Sequence, residues 1–209
     1  MRSSLKLIFL VFLVALTLRL YKLNEFPVGF HADEVRVGWN ALSILETGKD
    51  DRGNKFALYY NTFGDFRPTG IFYLTIPSIG VFGRNEFAVR FPPALLGALS
   101  VISLYFFVSY LTKNKSLALF SAFLLAISPW HLTTSRATSE VVMSLALTLT
   151  GLFLFLKGLN AKSKKLIILS GITFSISYFF YHSVRILTPL FVLTLIVYFA
   201  RKIKEANLT

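Results

Sequence analysis

The sequence predicts an all-α integral membrane protein of about six transmembrane helices, on three observations. Of its 209 residues 55% are hydrophobic and 16% aromatic, with a mean hydropathy of +0.63, a balance that excludes an ordinary soluble domain. The apolar residues come in long runs separated by short connections. The formal net charge of +12 sits in small basic clusters between those runs, the pattern of a membrane topology signal. A nucleic-acid partner is disfavoured on the same pattern, because binding would gather the cations on one face of a soluble fold. There is no cysteine, so disulfides and thiolate metal sites are excluded.

Residues 5–21 form the first span, apolar except for Lys6 and Arg19, both near its ends where long side chains snorkel to the head groups. A cleaved signal peptide is disfavoured: no small-x-small site follows, and Arg19-Leu20-Tyr21-Lys22 has the make-up of an interfacial anchor. Residues 22–90 form the one sizeable loop, with eight basic and eight acidic residues. Within it Trp39, Leu42 and Leu45 recur at helical spacing before Gly48, which predicts an amphipathic helix on the membrane surface. The run Lys49-Asp50-Asp51-Arg52-Gly53-Asn54-Lys55 is turn chemistry in a solvated loop. Residues 71–81 are apolar but too few to cross a bilayer, so they predict a second interfacial or re-entrant helix. Phe91-Pro92-Pro93 is expected to open the next helix, since proline is tolerated in a first turn. Spans follow at 93–111, 116–127, 141–156, 166–180 and 186–200, and residues 1–209 form a single membrane domain.

Orientation follows from the basic residues. Arg2, Lys6, Lys113, Lys115, Lys157, Lys162, Lys164, Lys165, Arg201, Lys202 and Lys204 share one side of a six-span topology, against Glu205 alone. That side is expected to be cytoplasmic, which places the N-terminus inside and the 22–90 loop outside, with the connections 128–140 and 181–185. An Asn207-Leu208-Thr209 sequon falls on the inner side and is discounted.

The chemistry is expected at His31-Ala32-Asp33-Glu34, because an acidic pair at the membrane edge is a functional-site hypothesis by default. The alternative is structural, with Asp33 as a helix N-cap and Glu34 as a first-turn acid. Adjacent residues on a helix diverge by about 100°, so one catalytic and one structural carboxylate is the expected division. The other outer connections carry Arg136 and Glu140, spaced for a weak i,i+4 ion pair as well as for a ligand role, then Tyr181, His182 and Arg185. Arg185 also fits a snorkelling cation, and His131 and His182 lack the spacing of a metal site.

The order of first span, His31-Ala32-Asp33-Glu34, surface helix ending in Gly48, Phe66-Arg67-Pro68-Thr69-Gly70, and Asn85-Glu86-Phe87-Ala88-Val89-Arg90-Phe91-Pro92-Pro93-Ala94-Leu95 resembles the GT-C glycosyltransferases of family 39. That family includes protein O-mannosyltransferases, aminoarabinose transferases and related bacterial membrane sugar transferases. Where it often has Lys-Pro-Pro, this chain has Arg67-Pro68-Thr69, and the family carries more spans, so the chain is expected to be an N-terminal fragment. The resemblance implies a plasma-membrane enzyme that passes a sugar from a polyprenyl-phosphate donor to a lipid, glycan or protein hydroxyl on the outer face, with inversion. It implies Asp33 as general base and Arg67 as the cation on the leaving phosphate. Glu34 is implied as structural or acceptor-binding, and Arg136, Tyr181 and Arg185 as further donor contacts. No residue requires a metal, although relatives in the wider class bind divalent cations. A lipid-linked sugar flippase or a non-catalytic membrane subunit is the alternative; a flippase should show paired mid-span breaks, and Gly97, Gly151 and Gly171 are scattered.

Overall fold

Every apolar run is helical in the computed structural model, which describes residues 2–62 and 64–205. The six expected spans correspond to α1 (Arg2–Leu20), α4 (Glu86–Thr112), α5 (Lys115–Ile127), α7 (Glu140–Ala161), α8 (Lys164–Ser177) and α9 (Val184–Tyr198). Between α1 and α4 lie α2 (Ala32–Thr47), strands β1 (Tyr59–Thr62) and β2 (Asp65–Pro68), and α3 (Gly70–Phe82); α6 (Pro129–Arg136) follows α5, and α10 (Ala200–Glu205) follows α9. By length and composition α4 and α7 are long and apolar enough to cross a membrane, and the α5–α6 pair, bent by 54°, is a third when taken as one broken span. Alone, the 13 residues of α5 reach only about 20 Å, short of a hydrocarbon core of about 30 Å. The Asn207-Leu208-Thr209 sequon lies outside the described residues.

Three expectations are corrected. Part of the stretch between α2 and α3, expected as loop, is an antiparallel hairpin, with Tyr59 opposite Pro68 and Tyr60 opposite Arg67, within an otherwise helical fold. Helix α4 starts at Glu86, before Phe91-Pro92-Pro93, because the Asn85 side chain caps it by accepting from Ala88 N–H at 2.9 Å. Pro92 leaves the Ala88 carbonyl without its helical donor, and Ser78 Oγ supplies one at 2.6 Å.

Arg19 is the third correction. Instead of snorkelling, it is fully buried and turned toward the α5–α6 break. Its guanidinium donates to Ala126 O at 3.2 Å and to Leu125 O at 3.5 Å, carbonyls that the Ser128-Pro129 break leaves at the end of α5, and to Ala15 O at 2.8 Å. His131, also fully buried, lies 2.7 Å from Arg19 Nη2 through Nδ1 and 3.3 Å from Ser100 Oγ through Nε2. Buried Ala15, Ala98, Ala118, Ala122 and Ala126 let α1, α4 and α5 pack closely around this polar centre. On the other side of α4, Gly151 and Gly158 leave room on α7 for Phe174 and Ile167 of α8.

These packings bring the three expected outer connections together at one end. Arg136 reaches Phe26 O at 3.0 Å, Thr138 N–H reaches Glu34 at 3.2 Å, and Gly70 N–H reaches Phe179 O at 2.8 Å.

Candidate functional site

The start of α2 fixes the acidic pair. His31 is the N-cap: its Nδ1 accepts from Asp33 N–H at 3.4 Å, and the Glu34 carboxylate reaches back to accept from His31 N–H at 3.0 Å, which closes a capping box. The N-cap role foreseen for Asp33 therefore falls to His31. Asp33, one position past the helix start, points away from the box toward the hairpin.

The two carboxylates end in different surroundings. Glu34 is buried, and Arg90, itself fully buried, grips it through Nε at 2.9 Å and Nη2 at 3.0 Å. Thr138 adds its N–H at 3.2 Å and its hydroxyl at 3.3 Å. The rest of the Arg90 guanidinium donates to Leu23 O, Pro27 O and Gly29 O, so one arginine ties α4 to the whole approach to α2. Burial by itself would raise the Glu34 pKa, but the Arg90 bonds and charge with the His31 and Thr138 amides outweigh it and hold the carboxyl below its ordinary 4.5.

Asp33 is part-exposed and sits between two cations. Arg36, one turn along α2, donates to Oδ1 at 3.1 Å, and Arg67, from β2, donates to Oδ2 at 3.1 Å. Around this trio lies a narrow cleft lined by Val37, Tyr60, Pro68, Phe72 and Glu140. Its free volume of about 10 Å³ is room for roughly one water. Glu140, at the start of α7, brings a second carboxylate within electrostatic reach of Asp33, Arg36 and Arg67. The Tyr60 ring supports the cations, with the Arg52 guanidinium 4.6 Å and that of Arg36 5.7 Å from its centroid.

The remaining sequence-expected residues are spread around this cleft. Arg136 donates to Leu18 O at 2.8 Å, Arg19 O at 3.1 Å, Lys22 O at 3.4 Å and Phe26 O at 3.0 Å, which caps the end of α1. It closes α6 while Glu140 opens α7, so the i,i+4 pairing considered for them does not apply. Arg185 stacks over Tyr59 at 4.7 Å, and among the described residues its buried Nη2 has no hydrogen-bond partner. Tyr181 is half-buried in the α8–α9 turn. Arg36 is a residue that sequence reasoning missed, although its i,i+3 spacing to Asp33 is a signal; Glu140, expected either in a pair with Arg136 or in a ligand role, lines the Asp33 cleft. Among the described residues no three His, Cys, Asp or Glu side chains gather to hold a metal ion.

Comparison with known proteins agrees with this architecture. No curated protein sequence matches the chain. The fold is that of the archaeal oligosaccharyltransferase AglB from Archaeoglobus fulgidus, solved in complex with an inhibitory peptide and a dolichol-phosphate: TM-score 0.70, 18% identity, over 91% of this chain and 25% of that one. The apo form of the Archaeoglobus fulgidus enzyme gives 0.71 at 18% identity over 94% and 26%. Its complex with Zn and sulfate gives 0.70 at 19% over 93% and 27%. The chain thus spans about a quarter of the length of these membrane enzymes, and carries the GT-C fold over that portion. A family model described as dolichyl-phosphate-mannose-protein mannosyltransferase matches residues 67–208, beginning at the arginine that meets Asp33. With two thirds of its length matched, from the hairpin through α10, the chain belongs to the dolichyl-phosphate-mannose-protein mannosyltransferase family.

Proposed function

We propose that the protein is a glycosyltransferase that moves a sugar from a polyprenyl-phosphate donor to a hydroxyl acceptor at the outer face of the plasma membrane, with the N-terminus in the cytoplasm. The observation that carries this reading is the pairing of Asp33 with Arg67 in a cleft at the end of apolar helices. A lipid-linked donor presents its phosphate at head-group depth, where a cation from β2 can meet it.

Asp33 acts as general base. It takes the acceptor hydroxyl proton while that oxygen attacks the anomeric carbon, the bond from that carbon to the phosphate oxygen breaks, and the configuration inverts. Arg67 bonds the phosphate as it gains charge, a contact that strengthens through the reaction. In the described state Arg67 lies on Asp33, and a pair this exposed is worth only about 0.2–1 kcal/mol. An incoming phosphate can compete with Asp33 for Arg67, which frees Oδ2 of the carboxylate for its role while Arg36 stays on Oδ1. Arg36 keeps Asp33 oriented from within the same helix, and Glu140 is the second carboxylate facing the acceptor. Tyr181 and Arg185 lie on the donor side, where the open Nη2 of Arg185 suits an anion. Glu34 and Arg136 hold the frame. A cavity of about 650 Å³ lined by Phe155, Phe174, Val192 and other apolar residues of α7, α8 and α9 offers space for part of a prenyl tail.

The test is the reaction itself. Full-length purified protein is given a radiolabelled polyprenyl-phosphate sugar and a hydroxyl acceptor, and labelled acceptor should form in step with free polyprenyl phosphate. Donor that binds or crosses the bilayer with no transfer would favour the flippase reading instead.

A further inference from the structure

We infer that Gly70 is a positioning residue for the site: the absence of a side chain there lets the α8–α9 turn hold the hairpin so that Arg67 stays at the Asp33 cleft, within reach of the donor phosphate. This rests on the roles proposed above for Asp33 and Arg67.

The contact is backbone on backbone. Gly70 N–H donates to Phe179 O at 2.8 Å, and a Cβ on Gly70 would overlap that oxygen while lying 2.9 Å from the Phe179 carbonyl carbon and 3.1 Å from its Cβ. A side-chain tip could rotate out of the way; a peptide carbonyl in a turn cannot. Nothing local asks for glycine at this position. Gly70 has no left-handed φ and is the first residue of α3, where alanine would be favoured over glycine by up to about 1 kcal/mol. The close approach to Phe179 is the one feature that requires it.

A second contact ties the same end of the hairpin to the same connection. Tyr59, opposite Pro68 in the ladder, lies under the Arg185 guanidinium at 4.7 Å. Strand β2 is thus held twice at its exit, directly by Gly70 and, through its partner strand, by Tyr59. Arg67 is one ladder pair in from these ties, three residues before Gly70, and reaches Asp33 at 3.1 Å. A methyl group that drives Gly70 off Phe179 moves an extended strand whose next functional side chain is Arg67. Misplacement of a catalytic group by about 1 Å costs on the order of 100-fold in rate.

The experiment compares Gly70→Ala, Arg67→Ala and the double variant in the full-length protein, with polyprenyl-phosphate sugar as donor. Gly70→Ala is expected to lower kcat at least tenfold, and to add no further loss in the Arg67→Ala background, because it acts through Arg67. A loss that adds fully to that of Arg67→Ala, as a merely structural defect would, overturns the inference, as does turnover within twofold of the parent. Tyr59→Leu loosens the second tie at an exposed position, so it decides the matter should Gly70→Ala fail to fold: its loss must likewise vanish in the Arg67→Ala background. Asp33→Asn separates the two levels. If that variant keeps full turnover, the reading of the site fails and the inference with it; if it is inactive while Gly70→Ala is normal, only the positioning role falls.

Discussion

The Arg90 guanidinium meets both oxygens of Glu34, at 2.9 and 3.0 Å, and neither side chain reaches solvent. Charges buried this way are stable only together, since removal of one leaves the other desolvated and unpaired. Glu34→Ala and Arg90→Ala are each expected to destabilise the protein by about 3–5 kcal/mol. The double replacement Glu34→Leu with Arg90→Met should cost less than either single change. Denaturation of the three variants and the parent in one detergent checks this.

Acid should loosen the same junction. The Glu34 carboxyl titrates below 4.5 in the folded chain and near its ordinary value when unfolded, so the unfolded state binds the proton more readily. Its contribution is therefore complete above about pH 4.5 and is lost as pH falls through the folded value. Melting temperature followed from pH 7 to pH 3 should fall in that lower window, and Glu34→Gln should flatten that fall.

A second buried centre is independent of the first. Arg19→Met removes the donors for Leu125 O and Ala126 O at the α5–α6 break, and leaves His131 without its 2.7 Å partner. Leu125 O keeps the Ser128 N–H at 3.4 Å, so Ala126 O is the carbonyl left unbonded, at a cost of about 1–3 kcal/mol. The expected result is a lower melting temperature with the donor affinity of the folded fraction unchanged.

Because the sequence has no cysteine, orientation can be read with single introduced thiols. Lys55→Cys and Ser183→Cys lie at the end that carries Asp33 and should react with an impermeant maleimide on intact cells. Asn114→Cys and Lys162→Cys, at the α4–α5 and α7–α8 turns, should react only after permeabilisation. The opposite pattern would place Asp33 in the cytoplasm and end the donor argument.

Much of this was legible in one dimension. Apolar runs coincide with α1, α4, α5 and α7–α9, the recurrence of Trp39, Leu42 and Leu45 marks α2, and the 100° divergence of neighbouring residues separates Asp33 from Glu34. What escaped depends on contacts between distant segments. Strands of four residues carry too little periodicity to distinguish them from a loop, so the hairpin that delivers Arg67 was not visible. Arg19 looked like a snorkelling end residue because the carbonyls it serves are 106 and 107 residues away. Glu140 stood out only by its spacing to Arg136: its place in the cleft is set by the break after α6 and by Thr138, two residues earlier, which is fixed on Glu34.

The most direct measurement is single-turnover sugar transfer by the full-length Asp33→Asn protein, loaded with radiolabelled polyprenyl-phosphate sugar before acceptor is added. If Asp33 removes the acceptor proton, donor loading should match the parent while the transfer rate falls by about 100-fold to 10,000-fold. Transfer at the parental rate from a loaded Asp33→Asn protein would contradict the account.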